Sequence, residues 1–184
     1  MRNKSILNIQ SAALLLAVLM IPLAGCLHEG ETNNTVEDEI INTVECELVP
    51  YGHCSGEDFS GQDLTELNLT GIDLSYANLS GASLTNLNYA DLTGANLDSA
   101  ILDDAELEGA VLTGAYLYYA SINNGTNLHH SELIGADLTG ANLTGAVLHY
   151  ADFTDAIVTD SDFTDTYWYN TIWTDGVSYN ENQA

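Results

Sequence analysis

Positive charge is almost missing from this chain. Its 184 residues include two basic ones, Arg2 and Lys4, against 27 acidic ones, for a formal charge of −25. From residue 5 onward there is no Lys and no Arg. That excludes an Arg clamp, a Schiff-base Lys and a P-loop Lys from everything past the first four residues. Direct binding to nucleic acid by phosphate neutralisation is excluded on the same ground. The signatures GxSxG and HExxH and a Gly-rich phosphate loop are also missing. The chain is therefore expected to be no enzyme and to need no cofactor. Its length suits one domain.

The few cations sit in a telling place. Arg2 and Lys4 precede an almost wholly apolar run, Ala12 to Leu23. The run is shorter than the ~20 apolar residues of a membrane span and reads as a signal-peptide core. Leu23-Ala24-Gly25-Cys26 follows. This order resembles the lipobox of prokaryotic lipoproteins. The resemblance implies that residues 1–25 are removed and that Cys26 carries the lipid. The alternative is an ordinary cleaved signal with an incidental Cys. On the lipoprotein reading the protein is exported and membrane-anchored in a bacterium or archaeon. It would sit at the cell envelope or cell surface, with a formal charge near −27 and no basic residue.

Residues 26–44 are acidic, rich in Asn and Thr, and without hydrophobic periodicity, as in a flexible tether. Cys46 and Cys54 flank Pro50-Tyr51-Gly52. An oxidising compartment permits a disulfide there, closing an N-terminal cap over residues 45–56. Two buried free thiols are the other option.

From residue 57 to 178 a large apolar residue recurs at every fifth position. The series starts at Phe59 and runs to Leu84, restarts at Leu87 and runs to Ile122, then restarts at Leu128 and runs to Trp173. This makes 24 units. Ala usually stands two positions before each centre, Asp or Asn one before, and Thr or Ser one after. Neither a helix period of 3.6 nor a strand period of 2 yields five. Units such as Ala136-Asp137-Leu138-Thr139-Gly140 resemble the pentapeptide-repeat family. The resemblance implies an all-β fold, a right-handed quadrilateral β-helix of about six coils, with one unit per wall. At ~4.8 Å per coil it would be roughly 29 Å long. A narrow tube of this kind takes one large side chain and one small one per wall. Residues 179–184 form a tail.

Counting units in fours sorts the outward residues onto four walls. The second and fourth walls collect carboxylates. The third bears only Glu106 and Glu108, and carries instead Tyr89, His129, His130, His149, Tyr150 and Tyr169. Tyr and His offer large contact area with little charge, which makes this wall a candidate interaction face. An ordinary surface ladder is the plainer reading. A Zn or Cu site at His129 and His149, with Glu108 below, is a third option, against which stands the tendency of a flat wall to splay ligands. At the far end Tyr167, Trp168 and Trp173 are expected to cap the tube or to make contacts in a tail-to-tail homodimer. Sequons fall at Asn33, Asn68, Asn78, Asn124 and Asn142, but the repeat generates Asn-Leu-Thr by chance.

The expected function is a non-catalytic structural or protein-binding module. Its partners would be a membrane, through lipid on Cys26, and an envelope or extracellular protein. The resemblance also implies an alternative, since some family members mimic DNA and inhibit type II topoisomerases.

Overall fold

The computed structural model describes residues 46–184. Cys26 and the expected signal peptide and tether lie outside the described residues. Residues 46–184 build a right-handed quadrilateral β-helix.

The repeat pattern explains the backbone. Each residue preceding a centre forms a parallel bridge to its counterpart one coil on, as in Asp58↔Asn78↔Asn96↔Tyr116↔Asp137↔Ile157 on the first wall. The centre's own N–H reaches up, Leu79 to Asn96 O at 2.7 Å, while the preceding N–H reaches down, Asn78 to Glu57 O at 2.9 Å. The N–H two after the centre also reaches up, as in Gly81 to Asp98 O at 2.8 Å. Ala82 N–H closes the corner onto Leu79 O at 3.0 Å. Most backbone donors are thus satisfied by neighbouring coils, the requirement for burying such a chain.

Side chains complete the corner. Asp or Asn before the centre accepts from the hydroxyl and N–H of the Thr or Ser after it. Asp63 accepts from Thr65 at 2.7 and 3.2 Å, and Asn142 from Thr144 at 2.6 and 3.0 Å. This local turn is the physical reason for the Asp/Asn and Thr/Ser columns of the repeat. The centres and their Ala neighbours fill the tube, most of them fully buried. Where Ala is replaced by Thr126, Ser131 or Thr171, the hydroxyl stays buried by donating to a core carbonyl: Leu102 O, Leu128 O and Leu148 O respectively.

The bridges also show how the repeat absorbs its irregularities. A regular coil takes 20 residues, as in Asp58↔Asn78. Pairs such as Asp73↔Asp91 are 18 apart, and pairs such as Glu106↔Asn127 are 21 apart. Both changes fall at the corner between the second and third walls, after Leu84 and after Ile122. The four-unit count therefore survives, and the walls are the ones the sequence count assigns.

The ends differ from each other. The fourth-wall ladder begins at His53↔Asp73, one unit before the repeat is visible in the sequence, because Cys54 serves as a core centre at 1% exposure. Cys54 is disulfide-bonded to Cys46, with Cα atoms 4.7 Å apart. Cys46, Leu48 and Leu67 pack against the core from below, while Glu57 and Gln62 remain exposed. At the other end Phe153, Phe163, Trp168 and Trp173 form one aromatic cluster, with centroids 4.9–6.4 Å apart. A hairpin of β1 (Thr171–Ile172) and β2 (Ser178–Tyr179) folds beside it.

Candidate interaction face

The third wall is the column Asn68, Asn86, Glu106, Asn127, Val147 and Tyr167, with the residues that follow each centre. Its lower half is polar. Its upper half is a sheet of rings, and the backbone dictates their spacing. His130 N–H donates to His149 O at 3.0 Å, and Tyr150 N–H to Tyr169 O at 2.8 Å. These bonds hold successive coils at ladder distance, so side chains in equivalent positions must touch.

Two columns result. In one, His129 meets His149 at 6.1 Å and His149 meets Tyr169 at 6.2 Å, both edge-on. In the other, at the corner, His130 lies flat on Tyr150 at 4.7 Å with planes 12° apart. Both corner residues hold left-handed backbone, φ 58° and 59°. The columns join through His129–His130 at 4.3 Å, His129–Tyr150 at 5.5 Å and Tyr150–Tyr169 at 5.3 Å. Five of the six residues marked from the sequence are therefore one continuous patch. Tyr150 and Tyr169 are exposed, and Tyr167 borders them at 59% exposure.

Tyr89 stands apart, two coils below. Its hydroxyl donates to Glu108 Oε1 at 3.1 Å, and that carboxylate raises the phenol above its ordinary value. Its ring leans over Gly109, where an added Cβ would lie 2.6 Å from it. The same arrangement recurs with Tyr51 over Gly71, Tyr76 over Gly94 and Tyr119 over Gly140. Sequence reasoning missed this device. Its only sequence trace is a Tyr at the corner position with a Gly one coil later.

Trp168 and Trp173, at 7% and 9% exposure, are turned into the tube and close it from within; Tyr167 is the exposed member of that trio. A second aromatic patch, not anticipated, lies on the first wall. Tyr116 and Tyr118 stack at 6.3 Å beside exposed Tyr119, and Asp137 raises the Tyr118 phenol. Among the described residues no group of three or more His, Cys, Asp or Glu is placed to hold a metal ion.

The fourth wall has the opposite character. Asp73 bridges Asp91, and Glu132 bridges Asp152, so like charges occupy adjacent coils. His53 Nδ1 approaches Asp73 Oδ2 at 3.9 Å. The Ser75 hydroxyl, with its N–H and His53, holds the Asp73 carboxyl below the ordinary range against the effect of burial.

A protein-family model described as pentapeptide repeats matches residues 54–88, 90–124 and 124–160, in eight copies. No curated protein matches the chain. Among solved structures, the chain is 26% identical to HetL, a pentapeptide repeat protein involved in heterocyst differentiation regulation from the cyanobacterium Nostoc. That match covers 70% of this chain and 67% of HetL, with a TM-score of 0.37. It is 21% identical to QnrB1, a plasmid-mediated fluoroquinolone resistance protein, over 61% of this chain and 57% of that one, with a TM-score of 0.49. It is 31% identical to a pentapeptide repeat protein of the Arabidopsis thaliana thylakoid lumen, over 61% and 69%, with a TM-score of 0.31.

Proposed function

The chain belongs to the pentapeptide-repeat family, and we propose that it is a non-catalytic, protein-binding rod, lipid-anchored through Cys26 and exposed at the cell envelope. The observation that carries the binding role is the ring patch His129, His130, His149, Tyr150 and Tyr169. It is continuous, weakly charged and set on a rigid ladder, whereas the neighbouring fourth wall is lined with carboxylates. Rigid aromatic side chains give contact area at low entropic cost, which is what the centre of a protein interface needs. The anchoring rests on the Arg2/Lys4, apolar run and Leu23-Ala24-Gly25-Cys26 sequence.

Two measurements test it. A photo-crosslinking residue placed at His149 in native cells should give a discrete adduct, and one at Thr154 on the fourth wall should not. Equal labelling from both walls overturns the binding face. Wild type should fractionate with membranes and Cys26→Ala should not; a soluble wild type overturns the anchor.

A second reading draws on the carboxylate walls and the cation-free rod: a DNA-shaped inhibitor of a type II topoisomerase. It predicts inhibition of supercoiling by the purified rod, insensitive to changes in the ring patch. The signal-like N-terminus speaks against it.

A further inference from the structure

We propose that Asn124 is a site of spontaneous succinimide formation, which adds a carboxylate at the border of the third wall. Asn124-Gly125 is the only Asn-Gly pair in the chain. It occupies the corner after Ile122, where the coil is one residue longer than its neighbours. Both residues are exposed and both hold left-handed backbone, φ 58° and 90°. Asn124 N–H reaches Thr144 O at 3.2 Å, longer than most ladder bonds.

The chemistry needs a free carboxamide and a free following N–H. Among the described residues Gly125 N–H finds no acceptor, and the Asn124 side chain makes no hydrogen bond. An ideal Cβ at Gly125 would meet nothing within 4 Å, so no side chain crowds this corner. The asparagines that precede the centres are held. Asn68, Asn78 and Asn142 accept from the N–H two residues on, and Asn127 accepts from His129 N–H while donating to Glu106. A carboxamide engaged in such a turn cannot swing its carbon onto the next N–H.

The step balances without a redox partner. Gly125 N bonds to Asn124 Cγ as the Cγ–Nδ2 bond breaks. Nδ2 leaves as ammonia, taking up the proton that Gly125 N gives to solvent. Water then opens the imide at either carbonyl, leaving an aspartyl or an isoaspartyl residue in place of the asparagine. Either product puts a negative charge beside Asp103 and Asp104, which lie one coil below and contact the neighbouring Asn123 backbone. The charge falls in the coil that carries His129 and His130. The isoaspartyl form also lengthens a corner that already holds an extra residue. The site stands whatever the third wall binds.

The test is incubation of the purified chain in mildly alkaline buffer, followed by peptide mapping by mass spectrometry and enzymatic isoaspartate assay. A synthetic peptide covering residues 121–128 sets the unconstrained rate. Conversion at residue 124 should lead all other asparagines and run within about tenfold of the peptide, since an unpinned corner needs little local opening. It should quicken as pH rises, because the attacking amide must lose its proton. Asn124→Gln should abolish the product at this position. An intact Asn124 after the peptide has converted, or earlier conversion at a wall asparagine, overturns the proposal.

Discussion

The third and fourth walls of this rod share one corner and one core and carry ladders of the same kind, yet their surfaces are chemical opposites. On the third, rings occupy successive coils and touch at 4.3–6.2 Å. On the fourth, Asp73 faces Asp91 and Glu132 faces Asp152 across single bridges. Both walls hang on centres that are essentially fully buried, Leu107 and Leu128 on one, Leu112 and Leu133 on the other. A β-helix of this type separates the two jobs of a sequence. Centres and their small neighbours make the tube, and outward positions are free to be neutral and sticky or charged and solvated. Stability is then a nearest-neighbour property of the core, as in other solenoids.

If that separation is real, core truncations must not register which wall they come from. Leu107→Ala and Leu112→Ala remove equivalent side chains in the same coil. Each should cost about 2–5 kcal/mol, read by denaturant unfolding, and the two should agree. A large difference would mean that surface chemistry reaches into the core.

A finer comparison uses the corners of the same coil. Gly109 and Gly114 both have φ 65°, but Gly109 lies beneath Tyr89 while nothing lies within 4 Å of the Cβ position of Gly114. Gly114→Ala measures the left-handed backbone alone, about 1–2 kcal/mol. Gly109→Ala adds displacement of the ring and should cost more. Equal thermal shifts would show that the ring swings away freely and that Tyr89 covers its glycine without binding it.

Much of this is legible in the residues alone. Five-residue spacing carries the family resemblance that implies the tube, and counting in fours on that basis places His129 over His149 and Tyr169. The count works only because both irregularities, after Leu84 and after Ile122, are absorbed at one corner instead of shifting units between walls. Other features are not legible, for definite reasons. Cys54 reads as half of a disulfide, and nothing in its type says that it also serves as a core centre. A ring over a glycine one coil away, as with Tyr119 and Gly140, depends on coil length and left-handed backbone together. The ring edges that join the two third-wall columns depend on rotamers, which spacing does not specify. The inward turn of Trp168 and Trp173 was one of two possibilities, because a terminal aromatic suits a cap and an interface equally.

The charge side of the comparison predicts smaller effects, of opposite sign to the usual mutation. Asp91→Asn keeps the acceptor for Thr93 N–H and removes repulsion against Asp73. It should stabilise the rod by about 0.5 kcal/mol at low ionic strength, a gain that fades near 1 M salt. Glu106→Gln on the third wall should give no gain, because its bridge neighbours are Asn86 and Asn127 and the latter donates to it at 2.9 Å. Matching gains at both sites would mean that the whole −25 charge acts as one diffuse field and that the walls do not differ locally.

The smallest expected effect is a change in pH response. The same corner turn is built from Asn68 and Thr70 on the third wall and from Asp73 and Ser75 on the fourth. The amide does not titrate, while the Asp73 carboxyl does, below its ordinary range. A carboxyl lowered in the folded state contributes stability above its unfolded pKa. That contribution is lost as pH falls through the folded value. Asp73→Asn gives the fourth-wall turn the third wall's chemistry, with the acceptor oxygen retained. Thermal unfolding should then be little changed at neutral pH, and its decline on acidification should be shallower than in the wild type. An unchanged acid limb would assign the decline to the remaining lowered carboxyls, Asp63 and Asp162 among them, which their Thr65 and Thr164 hydroxyls hold down in the same way. The turn at Asp73 would then be as insensitive to pH as its uncharged counterpart, and the two walls would differ in repulsion alone.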